Sequence, residues 1–143
     1  MSYKKIFIIV VGLSLVGIIN LALANSFETV CPNQVTVVND KIPDSLTIGG
    51  GLNLLLVTQP IIPQSIRSYS FTSVQLSQGI PPYFNALSCW YQAGSDEQNI
   101  IGYAVEEGIV DFNIEGNNWK FTTNAASCVD NTTVCPFDIN STR

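Results

Sequence analysis

The 143-residue chain has no histidine, and only 12% of its residues are charged. Without histidine there is no Ser–His–Asp or Cys–His machinery, no imidazole general base and no His-ligated zinc. Basic residues are scarce as well. Six Lys and Arg stand against eleven Asp and Glu, a formal charge of −5. That sign is wrong for a phosphate-backbone binder, so nucleic acid is excluded as a partner. The sequence also lacks a Gly-x-Ser-x-Gly nucleophile elbow, a Cys-x-x-Cys pair and the Asp-x-Asp-x-Asp-Gly spacing of a calcium loop. Gly49-Gly50-Gly51 has no Lys-Ser/Thr after it and reads as a turn, not a phosphate loop. No catalytic residue, metal site or cofactor is expected.

What is present begins with an export signal. Lys4 and Lys5 precede Ile6 to Ile19, a 14-residue stretch that is apolar except for Gly and Ser, and Ala22-Leu23-Ala24 supplies small residues for signal-peptidase cleavage. Fourteen residues fall short of the roughly 20 that a spanning helix needs. The expectation is a signal peptide over 1–24, cut after Ala24, and a single secreted or periplasmic domain over 25–143 with no membrane contact after cleavage. Removing 24 residues leaves 119, in which Lys41, Arg67, Lys120 and Arg143 face all eleven acids for a net charge of −7. A chain of that length can bury a core of its own.

Cys31, Cys89, Cys128 and Cys135 all lie in the exported part. An even count in an oxidising compartment reads as two disulfides. Four cysteines allow three connectivities; the expected one is Cys31–Cys89 with Cys128–Cys135. The second pair brackets a polar, turn-rich segment able to fold back on itself.

The exported part reads as all-β. Candidate strands are 34–38, 52–58, 69–76, 84–92, 100–105, 110–114 and 119–122. Apolar and polar residues alternate best around Phe112 and Trp119. A phase slip between Phe71 and Val74 suggests a bulge. Asn39-Asp40, Pro81-Pro82 and Glu115-Gly116-Asn117-Asn118 mark turns, the last as a hairpin. About seven short antiparallel strands indicate a small sandwich or a partly open barrel.

Aromatic residues are the binding candidates. Trp90-Tyr91 adjoins Cys89, and Tyr83 precedes it. On a strand Trp90 points away from Cys89 and Tyr91, so both groups cannot enter one core face. Exposed Trp or Tyr suits sugar stacking or a protein hot spot. Three functions follow. The first is a non-enzymatic exported domain that binds a protein or glycan through Tyr83, Trp90 and Tyr91. The second is an inhibitor of a basic hydrolase such as lysozyme, suggested by acidity. The third is a small glycosidase-like enzyme using Glu106, Glu107 or Asp111, although water in a turn would solvate the glutamates and oppose the raised pKa such chemistry needs.

Cys31-Pro32, Cys89-Trp90-Tyr91, Trp119, Cys128 and Cys135-Pro136-Phe137 form an ordered pattern over nearly the whole exported part. It resembles a family of small exported bacterial proteins of uncharacterised function. The resemblance implies a bacterial secreted or periplasmic β domain and implies no activity. A second, architectural likeness is to small periplasmic lysozyme inhibitors, which are also exported, disulfide-bonded, acidic β-barrels.

Overall fold

A computed structural model describes residues 26–58, 65–95, 98–105, 111–114, 116–129 and 135–140. The proposed signal segment, Glu106, Glu107 and most of the loop between Cys128 and Cys135 lie outside them. Two long strands form the centre, β5 (Ser68–Ile80) and β6 (Tyr83–Gln92). Both alternate. Val74 and Leu76 on β5, and Leu87, Cys89 and Tyr91 on β6, point into the core. Ser73, Gln75, Ser88 and Trp90 therefore point the other way. Pro81-Pro82 joins the two strands, where neither residue has an N–H to give the ladder.

Among the described residues nine shorter strands attach to this hairpin: β1 (Ser26–Thr29), β2 (Gln34–Thr36), β3 (Ser45–Thr47), β4 (Asn53–Leu56), β7 (Ile100–Ala104), β8 (Asp111–Ile114), β9 (Lys120–Phe121), β10 (Ala125–Cys128) and β11 (Phe137–Asn140). The outer edge of β5 is shared between β2 and β10, and that of β6 between β7 and β8. From β8 the sheet continues through β11 to β1, and from β7 through β4 to β3. Because each central edge serves two partners that lead in different directions, the single antiparallel sheet curls into a half-barrel. Of the two all-β architectures the sequence suggests, the partly open barrel is the one formed.

Edge-to-face aromatic pairs fill the concave side. Phe71, Tyr91 and Tyr103 form a chain with ring centres 6.0 Å apart, and Phe112 meets Phe137 at 6.1 Å. Trp119 is buried there too, its indole N–H donating to the Pro136 carbonyl at 3.2 Å. Cys31–Cys89 ties the segment before β2 to the middle of β6, and Cys128–Cys135 ties β10 to the chain entering β11. Both pairings match expectation.

Several sequence expectations need correction. There are eleven described strands rather than about seven; β1, β3, β10 and β11 are additional. Gly116 does occupy the left-handed region, with φ +82°, but it does not close a hairpin. β8 pairs with β6 and β11, whereas β9 pairs with β10. The turn residues fix the local bend, while burial of Phe112 against Phe137 decides the partner. Phe121, which alternation over 119–122 puts on the same side as the buried Trp119, is 55% exposed because the two-residue β9 lies at an end of the sheet. By contrast, the phase slip after Phe71 is a bulge: Phe71 pairs with Tyr91 and Ser73 with Trp90, leaving Thr72 between them.

Candidate functional site

The convex face of β10, β5, β6 and β7 carries the candidate site. Register places Ser127 opposite Gln75, Ser73 opposite Trp90, and Trp90 opposite Gly102. Directly opposed residues share a face. The result is a band of hydroxyl and amide side chains around one indole.

Two contacts fix that indole and a third holds its backbone. Its six-membered ring covers Gly102 so closely that a β-carbon there would lie 2.6 Å from the ring. Glycine is needed for this approach, and the indole in turn shields a backbone that has no side chain of its own. The indole N–H donates to the Ser88 hydroxyl at 3.0 Å. On the other side the bulge residue Thr72 donates its hydroxyl to the Trp90 carbonyl at 3.1 Å. The bulge thus re-aims β5 beside the tryptophan, a common use of an extra residue near a site. Further support comes from Thr58, whose hydroxyl accepts the Gly102 N–H at 2.8 Å.

Trp90 lines an open groove of about 430 Å³ with Thr72, Ser73, Gln75, Ile100, Ser127 and Val129 along it. That volume lies in the range of small-molecule sites, roughly 300–1,000 Å³. Among the described residues, none that lines the groove is ionisable. The described charge in register beside the groove is Lys120 on β9, opposite Ser127 and one strand outside it.

The three aromatic candidates separate. Trp90 is half-buried and central. Tyr91 is fully buried, stacked edge-on against Phe71 and Tyr103, so its candidacy as a contact residue is corrected. It belongs to the core because it shares its face with Cys89 and Leu87. Tyr83 is 61% exposed but begins β6, seven residues from Trp90. At roughly 3.3 Å per strand residue that is about 23 Å, and the two rings do not share a site. The other groove residues come from three further strands or their ends. The one sequence signal for them is the small polar series Ser73, Gln75 and Ser77 on β5.

Burial explains the tyrosine electrostatics. The Tyr103 phenol is pushed up to about 12 by desolvation, with the Asp44 charge adding to it. Its hydroxyl donates to the Pro43 carbonyl at 2.7 Å. Tyr91 is raised by burial and then by Tyr103, and Tyr69 by burial. Among the described residues the Tyr69 and Tyr91 hydroxyls have no hydrogen-bond partner. These groups serve packing on the concave side, remote from the groove face.

Asp111 is on β8, in register with Asn140, on the branch leading away from Trp90. Among the described residues no cluster of three or more His, Cys, Asp or Glu could hold a metal ion. Among them also no helix is long and apolar enough to cross a membrane. No protein family, curated protein or solved structure matches this chain.

Proposed function

We propose that this chain is an exported, non-catalytic binding domain whose ligand lies on the convex sheet face against Trp90. Export rests on the signal-like segment 1–24 with cleavage after Ala24, and on four cysteines all paired, as an oxidising periplasm or exterior favours. The carrying observation is the held indole: a large aromatic, immobilised by Gly102 and Ser88, lines a groove instead of entering the core. A side chain already fixed loses little rotamer freedom on binding, so its contact area converts to affinity efficiently. The described lining of the groove is uncharged and so does not supply the acidity that inhibition of a basic hydrolase would exploit.

The test is a parallel screen of oxidised mature protein and Trp90→Ala against immobilised glycans and purified envelope proteins, with circular dichroism to confirm the fold. Trp90→Ala is expected to weaken the ligand found by about tenfold or more, which corresponds to about 1.4 kcal/mol. A ligand bound equally well by both proteins would refute the reading.

A further inference from the structure

We propose that the groove takes a neutral glycan, with a pyranose ring laid against the Trp90 indole and its hydroxyl groups met by Ser73, Gln75 and Ser127. This rests on the Trp90 reading above and names the ligand class for the same groove.

The lining matches the two-sided chemistry of a sugar. A pyranose presents patches of C–H on its ring faces and hydroxyls around its rim. The groove offers one aromatic surface with Ile100 and Val129 beside it, and hydroxyl and amide groups between them. An aromatic ring carries negative charge density on its face, which attracts polarised C–H groups. Thr72 and Ser88 are already committed to Trp90, as donor to its carbonyl and acceptor from its indole. Ser73, Gln75 and Ser127 are not engaged by another described side chain. Two hydroxyls and an amide can both donate and accept, which is what a ring of hydroxyls requires.

Charge selects the neutral class. The exported part carries a net charge of −7, which repels acidic polysaccharides at long range. A basic protein would be drawn to the acids, yet the described groove lining holds none of them. Lys120 stands outside the lining, opposite Ser127, and is the one described cation in register with the groove strands.

The experiment titrates oxidised mature protein with cello-, chito-, malto- and manno-oligosaccharides, and with hyaluronan and heparin fragments as acidic controls. Calorimetry and intrinsic tryptophan emission are the readouts; Trp119, the other tryptophan of the chain, is buried. At least one neutral series is expected to bind with a change in emission. Trp90→Ala should weaken it about tenfold or more. Ser127→Arg, an outward-facing change that need not disturb the core, should block the groove, whereas Lys120→Gln should leave affinity within about twofold. Failure of every neutral series at millimolar sugar overturns the proposal. Tighter binding of an acidic fragment that Lys120→Gln abolishes overturns the neutral class while leaving the groove as the site. Trp90-dependent binding of an envelope protein alone, or self-association lost in Trp90→Ala, overturns the glycan and leaves the binding-domain reading standing. Glycan binding indifferent to both Trp90→Ala and Ser127→Arg overturns both.

Discussion

At the scale of single residues, Trp90 and Gly102 behave as one unit. Each explains the other, because the indole needs a neighbour without a β-carbon and the glycine needs a cover. Gly102→Ala places a methyl group 2.6 Å from the ring, so the ring must swing away. The expected cost is about 1–3 kcal/mol, the usual range for overpacking. Urea unfolding should show that loss, and tryptophan emission should move to longer wavelength as the indole enters water. An unchanged spectrum would mean that the ring does not depend on Gly102. Elsewhere a residue-scale contact matters less: Arg67 and Asp40 meet at 2.7 Å, but both are exposed, and such pairs contribute little.

At the scale of elements, the two disulfides act over different lengths of chain. Cys31–Cys89 closes a separation of 58 residues and Cys128–Cys135 one of 7. If a crosslink acts mainly by restricting the unfolded chain, the first contributes about 4 kcal/mol and the second about 2.5. Paired Cys→Ser variants compared by urea titration should therefore rank in that order, with loss of Cys31–Cys89 the more damaging. The reverse order would show that anchoring β10 to β11 outweighs chain entropy. The short bridge also borders the groove, since Ser127 and Val129 flank Cys128.

At the scale of the whole molecule, the buried tyrosines set an alkaline limit. Burial favours the neutral phenol, so the folded-state pKa of Tyr103, at about 12, lies above the unfolded value of about 10. The stability this contributes is fully present below about pH 10 and is lost as pH rises toward 12. Tyr69 and Tyr91, also raised by burial, act in the same direction. The urea midpoint should hold steady below about pH 10 and then fall. Tyrosinate absorbance of these residues should grow in step with unfolding. Ionisation of all tyrosines with the fold intact would contradict their placement in the core.

Much of this was legible in the sequence because it depends on local chemistry. Alternation marked the strands around Phe112, the phase slip marked the bulge at Thr72, and Asn39-Asp40 turns the chain with positive φ at both residues. The absent histidine likewise needed no structure, whereas the sequence only favoured one of three disulfide connectivities and the structure shows that one. Tertiary structure decided the rest. A strand's parity separates Trp90 from Tyr91, but only the packing of Cys89 and its neighbours says which side is inside. The short β3, β10 and β11 lack a strong pattern of their own and exist through their partners. The groove joins Thr72 to Val129 because β10 pairs with β5, a pairing written in no local segment. Local propensity acts over a few residues, whereas register is settled by burial summed across the sheet.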